Sequence, residues 1–438
     1  MTSPTLGSRT KHRTQIYPHL VGIGMLLASL TYPSFIFASK DFSGFTVRLA
    51  DPFLFLAFGL ALRRGATRGT IWPIYVIIFF GLATAAFNAT ESQYLFLDLQ
   101  GPAAIIAGFS LFSKIESWHE AKLVIKYISV TLWISVSVEL LIYSGIFASN
   151  YALRSSFAGE LAESSGIGRL VTPTHILAVV TMGIALASLL AKQITLKAAM
   201  PLIAPSSVIV ALAGTRLSLI FILLTILGVT LGNNKITRLG KVLKRIVLAG
   251  AVIAATLTVA SYVWENLRNV IDFFMNFVLR TLALSPGTGG TTDASALYRE
   301  FEISHGIGVF FAHPAFGLGF GGSYLPKIVN DESWLGIYGP IYTHNIYLWL
   351  AVKVGAVGIA LFALFVSANV ATLSRARSQT GALLLASVVA LLFVGFVWNL
   401  LVNVPDSLVF GALIGALTAS YRLQPSAKGS LGGVFSEK

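Results

Sequence analysis

Apolar runs follow one another along almost the whole chain, separated by short polar clusters, and each is close to the ~20 residues that a bilayer core requires. About twelve fit: 16–37, 47–62, 70–88, 99–113, 119–143, 173–191, 198–214, 215–231, 246–264, 344–368, 381–401 and 407–421. The pattern predicts an all-α polytopic membrane protein with about twelve transmembrane helices. The first run follows Arg9, Lys11 and Arg13, as a signal sequence would. It is long enough to span and lacks a small-x-small cleavage site after it, so it reads as an uncleaved first span.

Two segments break the rhythm, 144–172 and 265–343. The second begins amphipathically from Trp264 to Leu284, with Arg268 and Arg280, the composition of a segment lying in the membrane interface. The turn-rich stretch from Ser285 to Thr292 follows. Asp293 or Ser295 is placed to cap a helix carrying Tyr298, Arg299, Glu300 and Glu302, which should end near His313-Pro314. With no soluble domain or repeat in view, residues 1–438 read as a single transmembrane domain, and 424–438 as a disordered cytoplasmic tail.

Composition agrees with this class: 55% of residues are hydrophobic and 11% charged, with a mean hydropathy of +0.78. A soluble protein of this length needs far more surface charge. Cysteine is absent, which removes disulfides, thiolate nucleophiles and cysteine metal sites. The net charge of +13 is spread in small basic clusters between apolar runs, a topology signal and not a nucleic-acid footprint. Placing both termini inside puts 21 of the 31 Lys and Arg in inner loops. That asymmetry turns 144–172 and 265–343 outward, so the second is a long extracytoplasmic loop.

Chemistry-bearing residues are few. His344 sits where the long outer loop enters an apolar helix reading His344-Asn345-x9-Gly355-x2-Gly358. At 100° per residue, His344, Leu348, Ala351, Gly355 and Gly358 share one stripe, a small-residue face for another helix. Two roles stay open for His344: an incidental interfacial residue, or a group that moves protons. Arg216 lies between two apolar runs with no polar spacer, at a hairpin tip expected to be recessed. It either snorkels to headgroups or grips a fixed anion such as a phosphate. Arg299, beside Glu300 and Glu302, is weaker evidence by itself, since an ordinary solvated or salt-bridged arginine fits there. Arg169, just before Thr172-Pro173, is an accessory candidate, as is Asn345. Lys353 lies about 13 Å along the helix from His344 and on its other side, so it must face a cavity or find a partner. The glycines of 317–322 lie outside the membrane, away from nucleoside triphosphates, and no metal-ligand motif or serine elbow supports a metal or serine mechanism.

Three stretches resemble the bacterial O-antigen ligase and polymerase superfamily. They are Ala213-Gly214-Thr215-Arg216-Leu217-Ser218, the Arg299 helix followed by His313-Pro314-Ala315-Phe316-Gly317-Leu318-Gly319-Phe320-Gly321-Gly322, and the His344 motif. Their order matches the family over about 205–370, with Thr215, Leu217 and Lys353 departing from its usual residues. The resemblance implies a membrane glycosyltransferase that uses neither metal nor cofactor. Its donor would be an undecaprenyl-diphosphate-linked glycan and its acceptor lipid A-core or another glycan, at the outer face of the plasma membrane. It further implies His344 as the catalytic residue and Arg216 and Arg299 as the diphosphate contacts. Within that family a polymerase of O-antigen or exopolysaccharide is the alternative to a ligase. A twelve-span transporter or flippase is the rival of another class. Transporters gather ionisable groups near the midplane and show internal repeats. Here the candidates gather at the outer face and the two halves do not match.

Overall fold

The computed structural model describes residues 7–30, 39–42, 45–48, 50–64, 70–88, 90, 92–143, 146, 172–213, 215–232, 294–325, 343–374 and 379–423. They form twelve helices and one short hairpin of β1 (Ser39–Phe42) and β2 (Phe45–Arg48). The helices are α1 (Gly7–Ser29), α2 (Asp51–Arg63), α3 (Trp72–Phe87), α4 (Ser92–Ser113), α5 (Trp118–Tyr143) and α6 (His175–Leu190). The rest are α7 (Leu196–Ala213), α8 (Arg216–Gly232), α9 (Ala294–Ala312), α10 (Ile346–Ser374), α11 (Gln379–Val394) and α12 (Val404–Arg422).

Eleven of the expected spans overlap one of these helices, and the run 246–264 falls outside the described residues. By length and composition, four stretches among the described residues suffice to cross a bilayer: Tyr94–Ser113, Trp118–Ile142, Leu196–Ala213 and Ile346–Ala371. Six further apolar helices among the described residues are 10–17 residues long. Phe55, Phe79, Trp133 and Phe393 project from α2, α3, α5 and α11 with 47–68% exposure, an apolar exterior suited to lipid and costly in water.

The chain divides into two compact units. One comprises Met1–Leu30, Phe37–Thr131 and Ala294–Lys438, and the other Thr31–Ile36 and Leu132–Asp293. In the first unit α4 and α12 are in intimate contact. A Cβ at Gly101 or Gly108 would strike the main-chain carbonyls of Leu401 or Leu408. One at Gly411 or Gly415 would strike those of Ile105 or Phe109. Small residues let backbones approach, and van der Waals packing then does what the hydrophobic effect cannot do inside lipid.

The most consequential element is α10, which is broken. Gly355 takes φ 67° and ψ −160°, conformations an L side chain resists, and the helical ladder stops there. A break inside a span strands four main-chain groups, each costing several kcal/mol if left unpaired in hydrocarbon. The glycine-rich loop after α9 repairs it. Leu318 N donates to Val352 O at 2.8 Å and Gly319 N to Lys353 O at 3.0 Å. On the far side, Ala356 N donates to Pro314 O at 2.8 Å and Val357 N to Ala315 O at 3.3 Å. The loop backbone thus occupies the gap in the ladder. Gly355 and Gly317 are glycines because a Cβ on either would collide with the opposing backbone of Ala315 or Val352.

The same loop is tied to α3 and α4. Phe320 N donates to Gly81 O at 2.9 Å, Asn88 Nδ2 to Leu318 O at 2.8 Å and Thr90 Oγ1 to Phe320 O at 3.1 Å. Asp98 on α4 accepts from Gly321 N at 2.7 Å and from Trp349 Nε1 at 3.1 Å. It also pairs with Lys353 Nζ at 2.7 Å, and that ammonium donates to Gly322 O at 2.7 Å as well. Lys353 therefore has the partner that an intramembrane cation requires.

The His344–Gly358 stripe does not exist as read. α10 begins at Ile346, so His344 is outside the helix, and the register is interrupted at Gly355. The partner of Gly355 is a loop, not another helix.

Candidate active site

His344 is held at the mouth of α10 by two independent arrangements. Asn345 caps the helix: its Oδ1 accepts from Tyr347 N at 2.8 Å and Leu348 N at 3.1 Å, satisfying two first-turn donors. Thr343 Oγ1 accepts from Asn345 N at 3.0 Å, and Asn399 Nδ2 donates to Thr343 O at 2.8 Å. The accessory candidate Asn345 is thereby placed in a capping position.

The second arrangement comes from α9. Glu302, whose side chain is 2% exposed, accepts from the His344 main-chain N–H through Oε1 at 2.6 Å. Its other oxygen, Oε2, meets His344 Nδ1 at 3.0 Å. Tyr324 O–H reaches Oε1 at 3.3 Å. Beneath the pair, Tyr324, Leu325, Leu348 and Val352 form an apolar floor with Phe301, Val309 and Leu318 packed against it.

The helices α9 and α10 run in the same direction here. Glu302 meets His344, a Cβ on Gly306 would meet Leu348, and Pro314 meets Ala356. In the sequence Glu302 stands out only as a neighbour of Arg299. The signal it carried was its spacing: one turn after Arg299 and one before His305, so the three share a helix face. His305 Nδ1 turns back to Phe301 O at 3.0 Å, and its ring lies tilted against the Phe301 ring.

Arg299 sits one turn before Glu302, with a buried Nε that meets no hydrogen-bond acceptor among the described residues. A buried, unsatisfied guanidinium N–H is expensive unless a ligand completes it.

Arg216 belongs to the second unit and is the first residue of α8. The residues flanking it are fixed by the buried His175, whose Nε2 lies 2.8 Å from Ser218 Oγ and 3.1 Å from Thr215 Oγ1. Thr215 and Ser218 hydroxyls also bond each other. Nearby elements of that unit join through Thr172 Oγ1 to Glu139 Oε1 at 2.6 Å and Thr174 Oγ1 to Ser135 Oγ at 2.9 Å. Arg169 lies outside the described residues. Among the described residues no group of three or more His, Asp or Glu side chains is arranged to hold a metal ion.

The first unit thus brings together a histidine oriented by a buried carboxylate and an arginine whose Nε has no acceptor among the described residues. Both are set among apolar helices, and their chemistry is that of groups able to take a proton and to bind an anion. Residues 201–363 match the family model described as O-Antigen ligase, which supports the O-antigen ligase and polymerase superfamily for this chain. That span contains Arg216, Arg299, Glu302 and His344. The family points to a glycosyltransferase-like enzyme and, with the apolar helices, to a bacterial membrane protein. No curated protein matches the chain.

Proposed function

We propose that the protein transfers a glycan from an undecaprenyl-diphosphate carrier to a hydroxyl of lipid A-core or a similar acceptor, at the extracytoplasmic face of the plasma membrane. Both termini are then cytoplasmic, and segments 144–172 and 265–343 face outward. The observation that carries this reading is the Glu302 carboxylate on His344 Nδ1. With the Nδ1 proton directed at the carboxylate, Nε2 carries the lone pair of the neutral ring.

In the reaction the acceptor hydroxyl oxygen attacks the anomeric carbon of the donor sugar. The bond from that carbon to the diphosphate oxygen breaks, its electron pair leaves with the carrier diphosphate, and the hydroxyl proton passes to His344 Nε2. Arg299 holds the diphosphate, whose leaving oxygen gains negative charge as the bond breaks, and the family resemblance assigns Arg216 to the same anion. The buried Arg299 Nε supports this assignment, since a phosphate oxygen is the acceptor it needs. The chain's own side chains supply every group that the step uses.

The test is transfer by the purified full-length protein in nanodiscs. The donor is a polyprenyl-diphosphate glycan and the acceptor is glycolipid recovered from a deletion strain. H344A should lower kcat by about 10²–10⁴-fold, the usual contribution of a general base, whereas full transfer by H344A removes the assigned role. Glycan profiling of the deletion strain separates the two family activities. Unligated carrier-linked polymer marks a ligase, and single repeat units mark a polymerase.

A further inference from the structure

Glu302 is buried, yet it is neither solvated nor paired with the arginine one turn before it. Its two oxygens are spent on His344 and Tyr324, and the division between them is informative. Oε1 faces a main-chain N–H, which can only donate, so the atom at that place must be an acceptor. Oε2 faces Nδ1, a ring nitrogen that can be donor or acceptor depending on the tautomer. A carboxylate accepts on both sides and so requires Nδ1–H, leaving Nε2 as the basic nitrogen.

Resting on the proposed role of His344 as base, we infer that Glu302 is the positioning residue of this site. It fixes the imidazole tautomer and ring orientation, and it stabilises the imidazolium formed when Nε2 takes the acceptor proton. It touches no reacting atom. Tyr324, delivered by the loop that mends α10, completes its hydrogen bonding at 3.3 Å.

Glutamine in place of Glu302 separates orientation from bulk. Its amide oxygen must serve the His344 main-chain N–H, because the amide NH₂ cannot. The NH₂ then points at Nδ1 and makes that nitrogen the acceptor. The ring proton moves to Nε2, and the wrong nitrogen is basic. Size and most contacts are preserved, so a residue of purely structural importance would tolerate the change.

The experiment compares wild type, E302Q, E302D and H344A, each as full-length protein in nanodiscs with the polyprenyl-diphosphate glycan and acceptor glycolipid described above. E302Q should lose about 10²–10⁴-fold in kcat, the range a general base contributes, with the loss on amide replacement of a triad carboxylate, about 10⁴-fold, as its upper end. Its donor KM should stay within threefold of wild type, and E302D, which accepts on both sides, should recover at least tenfold over E302Q. An E302Q kcat within threefold of wild type, or an E302D no better than E302Q, overturns the inference. If H344A is inactive while E302Q is fully active, the positioning role falls and the base stands. A fully active H344A removes the base, and the inference with it.

Discussion

Asp98 Oδ2 lies 2.7 Å from Lys353 Nζ, with the two side chains 2% and 0% exposed. The pair joins α4 to α10 just before the break, and the same two groups grip the loop at Gly321 N and Gly322 O. An ion pair of this kind is a positional device more than a source of net stability, because desolvating both charges offsets much of their attraction.

Removing one partner should therefore be worse than neutralising both. D98N or K353M leaves a buried charge unpaired and is expected to cost about 3–5 kcal/mol. The double variant D98N/K353M keeps an acceptor for Gly321 N or Trp349 Nε1 and should regain most of that loss. Apparent melting temperatures in detergent for the two singles and the double, read as a double-mutant cycle, check this; additive losses would contradict it.

Gly355 and Gly317 face each other's segments across the mended break, both at positive φ. G355A or G317A should destabilise by roughly 1–3 kcal/mol from backbone strain alone, and more from the main-chain collision. Gly59 on α2 has open space around it, and G59A should raise stability by about 0.5–1 kcal/mol. Thermal unfolding of the three variants gives opposite signs if the contacts are as described.

Asn345 acts through its cap. N345A should lower stability by about 1 kcal/mol, whereas N345D, which retains the acceptor, should stay near wild type. A large stability loss in N345D would mean that its NH₂ group, not its Oδ1, does the essential bonding.

Arg299 should not tolerate lysine. A lysine ammonium has neither the Nε donor nor the planar fork, so R299K is expected to raise the donor KM at least tenfold while the protein remains folded. Unchanged donor KM in R299K would remove the arginine from the diphosphate site.

Hydropathy was enough to place eleven helices, because a bilayer demands long apolar segments with internally satisfied backbones. The break in α10 was not legible, since its repair depends on loop backbone rather than on side-chain pattern. Asp98 escaped for a definable reason. The fourth expected span begins at residue 99, one position beyond it, whereas the helix begins at Ser92. Seen inside a span, a lone aspartate would have invited pairing with an intramembrane cation such as Lys353. His344, Arg299 and Arg216 were legible as rare polar residues in an apolar chain. Glu302 was not, because its neighbour Arg299 offered a simpler partner in sequence than the histidine 42 residues on.

The fixed interval between His344 and Gly355 also gains a physical meaning. One end is gripped by Glu302 and the other abuts Ala315, and both grips belong to the single stretch of α9 and its following loop. The two strips of chain run side by side and must be cut to the same length. An added residue in either would turn everything beyond it by about 100° and slide it about 1.5 Å. A one-residue insertion between 346 and 354 should therefore be far less tolerated than most point substitutions there, making this interval a length standard for the protein.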